Sequence, residues 1–323
     1  MISIFGLTYA PAVLISLVLI FTILVGTTCV VGVIGWKRPE RRLRTLELRV
    51  KTWWWIVALV ALALGYPENG VYVVFGIVSF LAFKELISHL PTRQVDGPLI
   101  LLGIPILVLQ YYFAAHHETD RLFMIFGWVF LPVLMVFVMV FMQERTSGFV
   151  KEIGGVLLLF LITIYAPSHL AHFFALPQGG SPSGAAGLVL FVLILAQVND
   201  LMQFVVGRNC DRRKIVPNVS SRRTWDGFLS AWVVTVPLAV LIADSLTPFS
   251  PLQALLFGSL IAPLGFLGSI FVEAIKRDLE VRSTSAFLPG HGGVLDRIGS
   301  LLFVAPVYFH LVYHFVYEKG GLV

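Results

Sequence analysis

The chain has 323 residues, of which 58% are hydrophobic and 13% charged, and its formal net charge is +5. Its mean hydropathy of +0.89 exceeds what the core of a soluble domain absorbs, so a soluble enzyme with a single anchor is excluded. Continuous apolar runs such as LFMIFGWVFLPVLMVFVMVFM exclude a transmembrane barrel, because barrel strands alternate polar and apolar residues. We therefore expect an all-α fold, a polytopic bundle of membrane helices.

Apolar runs of about 20 residues predict nine or ten transmembrane helices. The expected spans lie near residues 10–35, 53–67, 71–88, 98–115, 122–142, 152–175, 184–207, 228–247, 252–276 and 298–318. The first is too long for the apolar part of a signal peptide and lacks a basic leader, so we expect it to be retained. The second and third spans are short. If one of them is re-entrant, the number of transmembrane helices is nine.

The chain divides by its motifs into three regions. We expect an N-terminal transmembrane region at 1–120, middle helices at 121–183, and a C-terminal domain at 184–323 that carries the chemistry. The first region includes a basic loop at 37–51, KRPERRLRTLELRVK. This loop is either a topology signal or a segment that lies on an anionic membrane surface.

The basic residues predict the orientation of the bundle. All but two of the 23 Lys and Arg residues, the exceptions being Arg121 and Lys319, fall in alternate loops. These loops are 36–52, 84–97, 143–151, 207–227 and 276–297. Because short cytoplasmic loops hold the excess of positive charge, we expect all five to face the cytoplasm.

The first chemically informative stretch is QVNDLMQFVVGRNCDRRKIVPNVSSRRTWDGF, from Gln197 to Phe228. Asp200 lies eight residues before Arg208, which places it about 12 Å below the loop if the helix is regular. A carboxylate at such depth costs roughly 2.5–3.5 kcal/mol, which favours a functional cavity around it. The alternatives are a hydrogen bond between helices or an ion pair with Arg208. The clustered guanidinium groups that follow are suited to phosphate oxygens.

The second stretch is KRDLEVRSTSAFLPGHGGVLDR, from Lys276 to Arg297. Pro289 and the glycines stop the helix and expose backbone N–H groups to an approaching anion. His291 is a candidate donor to phosphate, Asp296 a candidate metal ligand and Arg297 a charge-assisted anchor. A surface turn of the same composition arising by chance is the alternative.

In combination, ND…GR…RK…P…SSRRTWDGF and LPGHGGVLDR resemble the phosphatidate cytidylyltransferase (CDP-diacylglycerol synthase) family, over about Asp200 to Tyr317. In the N-terminal half, RVKTWWWIV and FLAFKE are similar to a bacterial branch. The resemblance implies the substrates CTP and phosphatidic acid, the products CDP-diacylglycerol and pyrophosphate, and Mg²⁺ as cofactor. It also implies a polar bowl that opens to the cytoplasm at the bacterial inner membrane, contact with membrane lipids, and a homodimer. We expect no nucleic-acid partner.

The resemblance assigns roles to residues that match the family motifs. The catalytic candidates are Asp200, Lys276, Arg277, His291, Asp296 and Arg297. The substrate-binding candidates are Arg208, Lys214, Ser220, Arg222, Arg223, Thr224, Trp225, Asp226, Gly292 and Gly293.

The chain departs from the family pattern where the family holds its metal ion. Ser269 and Ser283 replace two aspartates, and a neutral hydroxyl is a weaker ligand for a divalent cation. Glu273 lies four residues after Ser269 on the same helix face, so Glu273 and Asp296 are the candidate metal ligands. The alternative for Glu273 is an ion pair with Lys276 or Arg277.

These motifs leave three functions open. The first is a membrane cytidylyltransferase, and the second is a catalytically impaired paralogue that binds phospholipid or nucleotide in lipid transport or regulation. The third, a CTP-dependent lipid kinase, is expected to lack the full PGHGGVLDR ending. The pairs His169/His172 and His310/His314 are interpreted as packed or interfacial histidines, and Cys29 and Cys210 are given no function.

Overall fold

The computed structural model describes the protein at residues 1–4, 6–37, 44–66, 69–89, 96–116, 149–176, 181–209, 213–220 and 222–318. A small antiparallel hairpin, β1 (Ile2–Ile4) and β2 (Leu7–Tyr9), precedes the helices. The helices are α1 (Pro11–Lys37), α2 (Arg44–Gly65), α3 (Gly70–Ile87), α4 (Asp96–Ala115), α5 (Phe149–Phe160), α6 (Ala166–His172), α7 (Gly184–Asn209), α8 (Trp225–Leu246), α9 (Pro251–Asp278), α10 (Val294–Ile298) and α11 (Leu301–Val312). A π-helical segment, Leu161–Tyr165, joins α5 to α6, and another, Tyr313–Glu318, continues α11.

The predicted all-α polytopic membrane bundle is confirmed. Within the described ranges, seven helical segments are long and apolar enough to cross a membrane, and two shorter ones are also apolar. The seven are α1, α2, α3, the continuous segment Gly154–Ala175, α7, α8 and α9. The shorter ones are Gly103–Ala115 and Leu301–Tyr317. The predicted span near 122–142 lies outside the described residues.

The basic stretch predicted as a loop at 37–51 is largely helical, which corrects that prediction. α1 ends at Lys37 and α2 begins at Arg44, so the sequence RTLELRVK forms the first two turns of α2. These residues contain neither Gly nor Pro, and most are good helix formers, so the helix continues from the basic stretch into the apolar run. The second span is therefore 22 residues long rather than short.

The start of α9 is specified by its local sequence. The Ser250 side chain accepts from the Gln253 backbone N–H at 3.4 Å, and the Gln253 side chain accepts from the Ser250 backbone N–H at 2.9 Å. Pro251 follows the cap in the first turn, where its missing N–H costs nothing.

The core is centred on α7, where Leu188, Phe191 and Leu195 are completely buried. The surrounding cluster runs from Val13 in α1 to Tyr317 beyond α11, so the N-terminal and C-terminal regions share one core. Glycines allow the close contacts between helices, since a side chain on Gly187 would meet the Leu246 carbonyl.

The last predicted span is interrupted. α10 and α11 are separated by Gly299 and Ser300, and the Gly299 carbonyl packs against Gly268 of α9, where an added Cβ would lie 2.4 Å from it. This close approach brings the start of α10 beside the polar ends of α7 and α9. The two stretches singled out in the sequence consequently meet at one end of the bundle.

Candidate functional site

The site lies where four of the predicted basic regions meet at one end of the bundle. Arg49 near the start of α2 donates from Nε to the Gly290 carbonyl at 3.0 Å. Arg277 at the end of α9 donates from Nε to the Val219 carbonyl at 3.1 Å. Glu85 near the end of α3 contacts the start of α10. The basic segments that alternate along the chain therefore share one end of the protein.

The acidic centre of the site is Asp200 on α7. The Ser269 hydroxyl lies 3.4 Å from its Oδ1, in position to donate to it. The positive charges of Arg223 and Arg297 stabilise the ionised form of this carboxylate. These two cations come from the two different motif stretches. Arg208, the alternative partner considered for Asp200, is exposed instead.

Arg223 is held on both sides by acceptors. Its Nε donates to Glu273 Oε1 at 3.2 Å, and its Nη1 donates to the amide oxygen of Gln203. Glu273 thus pairs with neither Lys276 nor Arg277, the partners considered from the sequence. The side chains of Arg223 and Glu273 are 18% and 25% exposed, so the ion pair is partly shielded from solvent.

Asp296 is fixed at the start of α10. Its Oδ1 forms an ion pair with Lys276 Nζ at 2.6 Å, and its Oδ2 accepts from the Gly293 backbone N–H at 3.2 Å. The Ser283 hydroxyl lies 3.1 Å from the same Oδ2 and 2.8 Å from the Ser285 carbonyl. A hydroxyl has one proton, so these two acceptors share it.

The donor set does not fit a Mg²⁺ ion held by the protein alone. Within the part of the chain that the structure describes, no three His, Cys, Asp or Glu side chains converge to hold a metal. Each candidate carboxylate already faces a cation: Asp200 faces two arginines, Glu273 faces Arg223 and Asp296 faces Lys276. Hydroxyls of Ser269 and Ser283 stand beside two of these carboxylates, and neither adds negative charge.

The glycine-rich turn of the second motif is closed by backbone hydrogen bonds between Leu288 and Gly292 at 2.9 and 3.0 Å. Gly290 and Gly292 have φ angles of 75° and 88°, which disfavour any residue with a side chain. A Cβ on Gly292 would also lie 2.7 Å from Asp296 Oδ2. The sequence therefore needs glycine here both for the turn and for the approach to Asp296.

α2 holds this turn in place through three of its residues. Besides the bond from Arg49, Thr52 Oγ1 lies 2.8 Å from the Pro289 carbonyl, and the Trp53 ring meets the His291 ring edge-on at 6.2 Å. Burial, together with the nearby positive charges of Arg297 and Arg49, lowers the pKa of His291 to about 4. His291 is therefore neutral at pH 7, and its Nδ1 is buried without a hydrogen-bond partner among the described residues.

Glu85 is a buried carboxylate that was not among the candidate site residues. Its Oε1 accepts from the Val294 N–H at 2.8 Å and from the Ser285 hydroxyl, and its Oε2 accepts from the Leu295 N–H at 3.0 Å and the Thr284 hydroxyl at 3.2 Å. It thereby holds α10 and the preceding loop against α3. Glu85 is the last residue of FLAFKE, and the similarity of this stretch to a bacterial branch is the feature of the sequence that could have identified it.

Gly293 is required by this contact. A Cβ at Gly293 would lie 2.5 Å from Glu85 Oε2 and even closer to Thr284 Oγ1. The structure therefore gives this predicted substrate-binding glycine a packing role beside the carboxylate.

The remaining candidates of the first motif form the wall and rim of the site. Thr224 caps α8, since its Oγ1 accepts from the Gly227 N–H at 3.1 Å. Its backbone pairs with Lys214 in an isolated antiparallel bridge, and the Ser220 side chain beside it is buried. Five candidates have exposed side chains: Arg208, Lys214, Arg222, Trp225 and Asp226.

The histidines interpreted as packed lie apart from this site. His169 and His172 are completely buried. The ring of His169 lies 5.8 Å from that of His172 and 5.3 Å from that of His310. Among the described residues these rings belong to no metal-holding group.

Comparison with known proteins places the whole arrangement in one family. The model of the "Cytidylyltransferase family" matches residues 47–315, a range that includes Arg49, Glu85 and both motif stretches. The chain is 36% identical to "Uncharacterized protein YnbB" of Escherichia coli (strain K12) over 310 residues, which cover 94% of this chain and 99% of that protein.

Several relatives carry the name phosphatidate cytidylyltransferase, among them one from Thermotoga maritima and one from Bacillus subtilis (strain 168). The one from Thermotoga maritima is 29% identical over 255 residues, covering 72% of this chain and 89% of that protein. The one from Bacillus subtilis (strain 168) is 32% identical over 127 residues, 38% of this chain and 46% of that protein, so this second match spans under half of the relative.

Proposed function

The chain belongs to the cytidylyltransferase family, and on that basis we propose that it transfers a cytidylyl group from CTP to phosphatidic acid. An oxygen of the lipid phosphate attacks the α-phosphorus of CTP. The bond from that phosphorus to the oxygen bridging to the β-phosphate breaks, and pyrophosphate leaves with the electron pair. The products are CDP-diacylglycerol and pyrophosphate. Both reactants are anions, so the protein must offset their repulsion.

The observation that carries this proposal is the convergence of Arg223 and Arg297 on Asp200. One guanidinium comes from each motif stretch. Arg223 is positioned by Glu273 and Gln203, and a guanidinium group held in this way suits a phosphate oxygen. In this proposal Asp200 orients the two guanidinium groups and keeps them apart before the anions bind.

The other predicted residues have supporting roles in this proposal. Neutral His291 donates one ring N–H to a phosphate oxygen, and the Lys276–Asp296 pair fixes α10 at the site. Arg277 holds the first loop in place through Val219. The rim residues Arg208, Lys214, Arg222, Trp225 and Asp226 line the approach of the nucleotide, with Ser220, Thr224, Gly292 and Gly293 shaping the backbone.

The proposed orientation follows from the substrates. CTP is soluble and phosphatidic acid lies in the bilayer, so a site at the basic end of the bundle serves both if that end faces the cytoplasm. We place the protein in the bacterial inner membrane for the same reason. A homodimer belongs to the proposal through the family resemblance.

The experiment is incorporation of labelled CTP into lipid by the purified protein in phosphatidate-containing nanodiscs, with Mg²⁺, with Mn²⁺ and with a chelator. The wild type is compared with Ser269→Asp/Ser283→Asp, and Ser250→Asp serves as control because Asp keeps the N-cap of α9. We expect wild-type turnover. An inactive wild type with an active double variant would identify the impaired, ligand-binding paralogue instead, and loss of activity with the chelator would show that a metal ion takes part.

A further inference from the structure

α2 contributes a cation to the site that neither motif contains. Arg49 is half-buried, and its Nε is committed to the Gly290 carbonyl at 3.0 Å. Arg49 projects from the same helix as Thr52 and Trp53, which contact the turn. The terminal Nη groups of Arg49 are consequently presented at a fixed place beside the glycine turn.

The surroundings of Arg49 are those of an anion site. Its charged neighbour is Arg297, the His291 ring near it is neutral, and among the described residues Arg49 forms no ion pair with a carboxylate. Two nitrogen atoms here, Arg297 Nε and His291 Nδ1, are buried without hydrogen-bond partners in the described part of the chain; the first is a donor, and the second is a donor in one of the two tautomers of the neutral ring. Clustered positive charge with unsatisfied donors is stabilised when an anion that accepts several hydrogen bonds binds there.

The position of Arg49 favours a ligand that arrives through the membrane. Its guanidinium lies 5.6 Å from the ring centroid of Phe204 on α7. Phe204 follows Asp200 by four residues on the same helix face, so Arg49 contacts α7 about one turn, or 6 Å, further toward its charged end than Asp200.

The apolar side chains of α7 around this position are exposed. Phe204 is 43% exposed, and Leu201 and Val205 beside it are 58% and 42% exposed. Exposed apolar side chains on a membrane-spanning helix contact acyl chains. An Arg with its stem along such a surface keeps its charge at the level of the headgroups.

We propose that Arg49 binds the phosphate monoester of the lipid substrate at an entrance between α2 and α7, while Arg223 on the opposite side serves the nucleotide. The inference rests on the proposed function, which supplies a lipid phosphate as acceptor. It assigns to the N-terminal basic segment a substrate-binding residue in addition to a topological role. The lipid phosphate meets Arg49 first and then passes toward Arg297 and His291.

The test compares Arg49→Ala and Arg49→Lys with Arg44→Ala, which removes the same charge from an exposed position on the same helix. CTP incorporation in nanodiscs gives KM for phosphatidate and for CTP separately. Arg49→Ala is expected to raise KM for phosphatidate about 10- to 100-fold, with KM for CTP changed less than about twofold. Arg49→Lys keeps the charge and loses the Nε donor, so its KM should lie between those of Arg49→Ala and wild type.

Binding measurements made without turnover test this inference separately from the proposed function. Nanodiscs with phosphatidate, with phosphatidylglycerol or with neither are titrated against the protein in the absence of CTP, and CTP is titrated separately. If the wild type binds phosphatidate but makes no product, the proposed function is wrong. The effect of Arg49→Ala on phosphatidate binding then still tests the lipid site. The inference is overturned if Arg44→Ala weakens phosphatidate binding as much as Arg49→Ala, if phosphatidylglycerol binds equally well, or if only CTP binding changes.

Discussion

Replacing Glu85 with Gln tests how far the buried carboxylate on α3 organises the site. Glu85 is 8% exposed, and its two oxygens accept from the backbone N–H groups of Val294 and Leu295 and from two hydroxyls. Gln offers one acceptor oxygen and an NH₂ group, so one of the two backbone N–H groups faces another donor whichever way the amide turns.

The cost follows from these contacts. An unsatisfied buried N–H costs about 1–3 kcal/mol, and the bond that remains loses the assistance of the negative charge, about 1 kcal/mol. The two hydroxyls can rotate to accept, so they add little. The sum is about 3 kcal/mol, or roughly a 100-fold increase in local opening of the start of α10.

Hydrogen exchange measured by mass spectrometry on the peptide that covers 284–298 reports this opening directly. We expect Glu85→Gln to lower its protection about 100-fold, while Glu47→Gln, an exposed acid on α2, leaves it unchanged. Equal protection in wild type and Glu85→Gln would refute the reasoning. So would a loss that is equally large in α8, because the effect would then be global.

Two further predictions concern the site. Gly268→Ala places a Cβ 2.4 Å from the Gly299 carbonyl and should lower stability by about 1–3 kcal/mol, seen as a lower melting temperature in detergent, whereas Gly26→Ala meets no atom within 4 Å and should not lower it. The pKa of His291 is lowered to about 4, so its contribution to stability is present above about pH 6.5 and is lost as the pH falls toward 4. As the pH is lowered over that range, the melting temperature of the wild type should therefore fall more than that of His291→Gln. A difference in melting temperature between the two that stays constant with pH would contradict this.

Several features of the protein were predictable because their causes are local in sequence. A membrane span needs about 20 apolar residues in one stretch, and most of the predicted spans that lie in described regions coincide with helices. The two motif stretches were recognised by residues close together in the chain. Their meeting around Asp200 was expected from the alternation of basic loops, since loops on one side of a bundle can reach one another.

The start of α2 was predicted wrongly because the basic residues of RTLELRVK ended the apolar run. Most of these residues have a high helix propensity despite their charge, so the helix begins at Arg44. Arg49 was consequently treated as one charge among seven in a loop, although its position on a helix determines what it contacts.

The partners of the site residues were decided by tertiary structure alone. Arg49 reaches Gly290, and Glu85 reaches Val294, across more than 200 positions of sequence. Glu273 forms an ion pair with Arg223 rather than with Lys276 or Arg277 on its own helix. Such pairings depend on how each helix is rotated about its axis, and helices that are apolar all round have no sequence pattern that fixes this rotation. The sequence therefore determined which segments cross the membrane and which end carries charge, and helix packing determined which charges meet.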